Sequence, residues 1–119
     1  MNQDFRIKIG FFNNPKTHRL RRRLGAEGVL SLIRLWEYAA QHRSKGVLYD
    51  MDDDDIAAVS DWSGDSSFVE CLRKFGFLEE TADGWLALHD WEEHNGYAFY
   101  AEERSERARE AAEKRWAEK

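Results

Sequence analysis

The sequence predicts a mainly helical α+β domain with an extra charged helix at its C-terminal end. Two patterns indicate this class: long segments with helical spacing of apolar residues, and two short apolar runs joined by Asp83-Gly84. The chain has 119 residues, the length of one domain, and 13% of them are aromatic, which favours a packed core over disorder. We place the folded domain at 1–96 and a charged helical tail or linker at 97–119.

The first third of the chain is predicted to hold one strand and two helices. Alternating apolar and polar residues favour a short strand over 5–11. Asn14-Pro15 then marks a helix start, with Asn14 as N-cap, and Gly25 ends this helix. The second helix, 26–43, carries a continuous apolar stripe and is expected to be the central core element. The stripe comprises Val29, Leu32, Ile33, Trp36, Ala39 and Ala40.

The centre of the chain predicts a strand at 47–49 and a short helix after it. Asp52 is placed to cap the free backbone N–H groups of this helix, which ends near Trp62. Aspartates 53–55 lie in its first turn, where the positive end of the helix dipole favours anions. Capping therefore explains this acidic run, which lacks the alternating ligands of a calcium loop.

A further short helix is predicted over Ser66–Phe75. Its sequence begins with a capping box formed by Ser67 and Glu70. Cys71 flanks the apolar stripe of this helix and is the one cysteine of the chain, so we expect a buried thiol. A single cysteine excludes an internal disulfide framework and favours a cytoplasmic location.

The last third predicts a β-hairpin and an exposed helix. Strands at 77–80 and 85–89 flank Asp83-Gly84, a strong hairpin turn signal. Residues 90–100 are expected to be irregular. Segment 101–119 contains no glycine or proline, and oppositely charged residues four apart favour a solvent-exposed helix there. These pairs are Glu103–Arg107 and Glu110–Lys114.

The formal net charge of −5 conceals an uneven distribution of charge along the chain. Residues 1–23 contain seven lysines and arginines and one acidic residue, whereas 50–67 contain seven aspartates and neither lysine nor arginine. Such a separation creates an oriented field that matters to a polyanionic partner. No apolar run approaches the ~20 residues that span a bilayer, and the start of the chain lacks the apolar stretch of a signal peptide. We therefore expect no membrane association.

The predicted elements follow the order helix, helix, strand, helix, helix, strand, strand. This is the order of a winged-helix domain, in which a helix-turn-helix precedes a β-hairpin wing. Helix Ser66–Phe75 then has the position of the recognition helix, and residues 77–89 form the wing.

Three groups of residues allow a closer comparison. They are Asn14-Pro15-Lys16 with Leu20-Arg21-Arg22-Arg23-Leu24-Gly25; Leu32-Ile33-Arg34-Leu35-Trp36 with Gly46-Val47-Leu48; and Asp55-Ile56-Ala57 with Trp62, Phe68-Val69, Leu72, Gly76-Phe77-Leu78 and His89-Asp90-Trp91-Glu92. Over about residues 5–96 they resemble the N-terminal winged-helix domain of phage and prophage replication initiators, the replisome organiser proteins. The resemblance implies an origin-binding module, often followed by a segment that contacts helicase-loading proteins. The charged tail then resembles the start of the linker in longer relatives.

The first helix contains the best candidates for contacts with double-stranded DNA. Arg19, Arg22 and Arg23 lie on roughly one side of it, and guanidinium groups suit bidentate contacts with phosphate. The alternative is a solvated face that pairs with the acidic block 50–67. The candidate residues in this helix are Lys16, Arg19, Arg21, Arg22 and Arg23.

The helix in the recognition position offers fewer contacts. Its candidates are Ser66, Ser67, Arg73 and Lys74. The wing tip, residues 79–83, is acidic and would be repelled by a duplex, which favours a protein-facing hairpin. Trp116 is isolated on the charged last helix and indicates a self-association or partner surface.

No catalytic, cofactor or metal site is predicted. His89 and His94 are five residues apart, which does not place them on one helical face. No nucleophile–base set, pair of carboxylates or glycine-rich phosphate loop stands out. The sequence therefore favours a DNA-binding module over an enzyme. The alternatives are a replisome interaction module with the same fold and no DNA contact, and a winged-helix transcriptional regulator.

Overall fold

The computed structural model describes residues 3–117, which form a mainly helical fold with one small antiparallel sheet. The mainly helical α+β class is confirmed. The elements are a 3₁₀ turn Phe11–Asn13, α1 Pro15–His42, α2 Asp53–Val59, α3 Ser67–Lys74, β1 Leu78–Glu80, β2 Leu86–Leu88, α4 Trp91–His94, α5 Gly96–Phe99 and α6 Ala101–Ala117. In this part of the chain no helix is both long enough and apolar enough to cross a membrane.

A sharp kink at Gly25 divides α1 into two segments, 15–24 and 26–42. Gly25 has φ 75° and ψ −175°, a conformation that favours glycine. The Asn14 side chain accepts a hydrogen bond from the Lys16 N–H at 2.9 Å, so the predicted cap is confirmed. Just past the kink, Gly28 allows close packing, because a Cβ there would lie 2.5 Å from the Cβ of Leu24. The kink lets residues 15–24 leave the axis of the long segment.

The long segment of α1 is the centre of the core, as its apolar stripe predicts. Leu32 and Leu35 are completely buried, and the helices α2 and α3 pack against α1. Cys71 of α3 is buried among the core residues, so the prediction of a buried thiol is confirmed. The other fully buried large side chains are Leu20, Leu48, Ile56, Phe68 and Leu72.

The sheet brings together three stretches of chain. β1 and β2 pair antiparallel with Leu78 opposite Leu88, and Gly84 adopts φ 88° in the turn between them. The predicted Asp-Gly hairpin is therefore confirmed. The strand expected at 47–49 is reduced to one antiparallel bridge between Val47 and Ala87. In the sheet, β2 therefore lies between the extended chain at Val47 and strand β1.

The strand predicted over 5–11 does not form. Ile9 is completely exposed and Ile7 is 37% exposed, so the alternating residues do not share a buried face. The backbone N–H of Arg6 donates instead to the Asn95 side chain at 2.8 Å. Gly10 then turns the chain with φ 91°, and Phe11 enters a 3₁₀ turn. Alternation alone did not produce a strand, and none of the strand pairings among the described residues involves 5–11.

The capping box predicted at Ser67 and Glu70 is wrong. The helix begins at Ser67, and Asp65 caps it by accepting hydrogen bonds from the backbone N–H of Ser67, at 3.0 Å, and from its hydroxyl. A reciprocal box occurs instead at α2, between Asp52 and Asp55. The predicted role of Asp52 as a cap is confirmed.

Residues 90–100, expected to be irregular, form the single-turn helices α4 and α5. They are held by tertiary contacts. Trp91 is 4% exposed and its indole N–H donates to the Ser44 carbonyl at 2.8 Å. Gly46 makes room for this ring, because a Cβ there would lie 2.5 Å from the Trp91 ring.

The exposed C-terminal helix is confirmed over Ala101–Ala117, where no residue is buried. The main partner of Glu103 is Lys45, and the predicted partner Arg107 makes only a minor electrostatic contribution to the lowered pKa of the Glu103 carboxyl. The Glu103 carboxylate binds the Lys45 ammonium at 2.5 Å. The same ammonium also donates a hydrogen bond to the Phe99 carbonyl at 2.9 Å. Lys45 therefore ties the start of α6 to the core.

Candidate nucleic-acid interface

Residues 15–24, here called the basic arm, lie alongside α3 in the antiparallel direction. At one end the Lys16 ammonium donates to the Gly76 carbonyl at 2.8 Å, just past the C-terminus of α3. At the other end Arg23 is close enough to contribute to lowering the pKa of Asp65, which precedes α3. Leu20 and Thr17 lie on the buried side of the arm. The predicted DNA-contact residues of the two helices thus belong to neighbouring elements.

Four arginines cover the outer side of the basic arm. All four are exposed, and within residues 3–117 none of their guanidinium groups forms an ion pair or a hydrogen bond. Their charge is therefore available to an anionic partner. They are Arg19, Arg21, Arg22 and Arg23.

Within residues 3–117, no aspartate of the acidic block 50–67 forms an ion pair with these arginines. Asp52 and Asp55 are engaged in the capping box of α2, and Asp61 lies 3.5 Å from Arg34. The hydrogen bonds from Ser67 hold the pKa of Asp65 below its ordinary value, and Arg23 makes only a minor contribution to that shift. Helix capping thus engages Asp52, Asp55 and Asp65, three of the aspartates that would have to pair with the basic arm if it were only a solvated face.

Lys16 differs from the other cations of the arm. It is half-buried, its ammonium lies 4.9 Å from the centre of the Phe77 ring, and it donates to the Gly76 carbonyl. This contact fixes the arm against the corner between α3 and β1. Lys16 therefore positions the arm, and its charge faces the protein.

The four candidates on α3 divide into two pairs. Ser66 and Lys74 are exposed. Ser67 is half-buried and its hydroxyl donates to Asp65, while Arg73 lies 3.6 Å from the Glu80 carboxylate of the hairpin. Two of the four are thus already engaged by acidic neighbours.

Acidic residues border part of α3. Asp53, Glu70 and Arg73 line one shallow depression together with Ser66. In the hairpin, the Glu79 carboxylate lies 3.3 Å from the His89 ring. A duplex lying across α3 and the hairpin would meet these carboxylates, whereas one lying along the arm would meet arginines.

The structure also brings together three potential metal ligands that the sequence analysis did not group. Single ligand atoms of Asp90, Glu93 and His94 lie within 4.8 Å of one another. Their spacing, i, i+3 and i+4, signals a shared face only once the turn α4 is known to be helical. Both carboxylates are exposed, and Asp90 already lies 3.1 Å from His89, so we assign no metal site to them.

Comparisons with protein-family models, with curated proteins and with solved structures find no match.

Proposed function

We propose that this protein is a DNA-binding module of the winged-helix type that holds duplex phosphates through its basic arm. The observation that carries the proposal is the set of four exposed arginines whose guanidinium groups form no ion pair or hydrogen bond within the described residues. Arginines in such a set provide affinity and orientation, but they do not read sequence. The proposed binding is therefore weak, tolerant of sequence and strongly dependent on salt.

The arrangement of elements supports the winged-helix assignment. The long segment of α1, the bridge at Val47, α2, α3 and the hairpin follow one another in the order of that fold. Within it α3 has the recognition position. Its exposed face is short and partly acidic, so we assign the main contacts to the arm.

The number of contacts follows from the geometry of the arm. Ten residues of α-helix extend about 15 Å, enough to face two or three phosphates along a strand. Arg19, Arg22 and Arg23 share one side of that helix. Each neutralised phosphate contributes about −0.9 to the slope of log K against log salt, so these three account for about −2.7.

The test is a salt titration of binding to a fluorescent duplex of random sequence, followed by anisotropy. The triple variant Arg19→Gln, Arg22→Gln, Arg23→Gln is expected to lose most of the affinity and to flatten the slope by about 2–3. A control of equal charge replaces three exposed cations of α6 by glutamine: Arg107, Lys114 and Arg115. The control is expected to bind like the unaltered protein.

Two results would contradict the proposal. One is an unaltered protein that does not bind duplex at low salt. The other is a triple variant whose slope equals that of the control, because binding would then depend on net charge and not on the arm.

A second candidate function is a protein-interaction module in DNA replication, with no DNA contact. It is favoured by the acidic hairpin and by α6, which contains no buried residue and presents Trp116 with 76% of its surface accessible. Such a module would hold a helicase loader or a second copy of this chain. Substituting arginines 21–23 would leave capture of that partner intact while abolishing DNA binding in the first proposal.

The cellular role of the proposed DNA binding rests on the resemblance to phage replication initiators. A transcriptional regulator of the same fold is the alternative. Footprinting on DNA from the neighbourhood of the gene distinguishes them, because protection of an origin supports replication and protection of a promoter supports regulation.

A further inference from the structure

A cavity of about 240 Å³ lies between the N-terminal loop, the start of α1 and the turn α4. Aromatic rings form much of its apolar wall. Phe11 and Trp36 meet edge to face there, with ring centres 4.9 Å apart, and Phe77 and Trp91 complete the set. Phe11, Phe77 and Trp91 belong to the core, and Trp36 packs against it.

The polar part of the same wall carries an excess of positive charge. Arg6, Lys8 and Lys16 line the cavity, against the single carboxylate of Asp90, which already contacts His89. Arg6 and Lys8 are exposed, and their side-chain cations form no ion pair in the described part of the chain. The cavity therefore favours a negatively charged occupant.

A buried polar group in this wall also lacks an explanation from the fold. Thr17 is 3% exposed, and its hydroxyl has no hydrogen-bond partner among residues 3–117. Such unsatisfied groups are rare in folded proteins. The Ser31 hydroxyl in the same helix is likewise buried without a partner among these residues, so this feature does not by itself mark a binding site.

We propose that this cavity binds a small aromatic anion, a single ring that carries one carboxylate or phosphate group. The ring would lie against the aromatic wall, and Arg6 and Lys8 would bind the anionic group. The volume is below the roughly 300–1,000 Å³ of sites for drug-sized ligands, which favours one ring over a larger molecule. Arg6 and Lys8 lie outside the basic arm, so the inference does not depend on DNA binding.

The test uses intrinsic tryptophan fluorescence of the full chain, because Trp36 and Trp91 both line the cavity. The probes are phenyl phosphate and benzoate. Inorganic phosphate tests the anion without a ring, and benzyl alcohol tests a ring without the charge. We expect a saturable change with at least one aromatic anion, and at least tenfold weaker binding of both controls.

The variant Arg6→Gln, Lys8→Gln is expected to weaken binding by about tenfold or more, the effect of losing charge-assisted hydrogen bonds. Both residues are exposed, so the fold should be retained, which a circular-dichroism melt verifies. The matched variant Arg107→Gln, Lys114→Gln removes the same charge from α6 and should bind normally.

Three results would overturn the proposal: no saturable change with either aromatic anion, equal binding of inorganic phosphate or benzyl alcohol, or equal weakening in the two double variants.

Discussion

Replacing Gly46 by alanine tests how the C-terminal part of the chain is held against the core. Gly46 has φ +80°, and an added Cβ would lie 2.5 Å from Cγ and 2.7 Å from Cβ of Trp91. The ring cannot move away freely, because its N–H donates to the Ser44 carbonyl. The Gly46 backbone is itself fixed by hydrogen bonds to Arg43, at 2.7 Å, and from Leu88, at 2.8 Å.

Two costs combine in Gly46→Ala. A left-handed conformation costs an L-residue about 1–2 kcal/mol relative to glycine. Overpacking a well-filled site costs about 1–3 kcal/mol more. The expected loss is therefore about 2–5 kcal/mol, a large share of the 5–15 kcal/mol typical of a whole domain.

Urea denaturation monitored by fluorescence and by circular dichroism measures this loss. With a slope of about 1–3 kcal/mol per molar urea, the midpoint should fall by about 0.7–5 M. Gly84→Ala is the matched control, since Gly84 has φ +88° and no atom within 4 Å of an added Cβ. It reports the backbone cost alone. If both variants lose the same stability, Trp91 does not pack against Gly46 and the reasoning is refuted.

Two further predictions concern a helix cap and an ion pair. Asp52→Ala removes the side chain that accepts from the Asp55 N–H at 2.8 Å, and should lower the free energy of unfolding by about 1 kcal/mol; Asp54→Ala, whose side chain caps nothing, should cost less. Lys45 holds the pKa of the Glu103 carboxyl below its ordinary value through a hydrogen bond, so Lys45→Met should raise that pKa in an NMR titration. Because the folded-state pKa is lowered, this pair stabilises the fold above the ordinary carboxyl pKa, and its contribution is lost as pH falls through the lowered value. If the free energy of unfolding of Lys45→Met falls on acidification in the same way as that of the unaltered protein, the assignment is contradicted.

Features that depend on neighbouring residues were predictable from the sequence. Asn14 caps α1, Gly25 bends it, Asp52 caps α2 and Asp83-Gly84 forms the hairpin turn. Each requires only a local side chain or a left-handed backbone, and both are encoded within a few residues. The apolar stripe of the long helix segment likewise identified the centre of the core.

Features that depend on distant partners were not predictable in the same way. The strand predicted over 5–11 does not form, and the backbone N–H of Arg6 donates instead to the side chain of the distant Asn95. The turns within 90–100 exist because the Trp91 ring packs against Gly46, far away in sequence. The close approach of Asp90, Glu93 and His94 depends on the same turns.

The amino-acid pattern alone was sufficient to predict the type of most elements, the main helix ends and the separation of a basic segment from an acidic one. Which of those charges are paired depends on the folded arrangement of the elements. This arrangement directs Lys16 inward to Gly76, pairs Arg73 with Glu80 and leaves the arginines of the arm exposed. Charge pairing across the chain is set by which surfaces meet when the core packs, and a count of charges along the sequence does not contain that information.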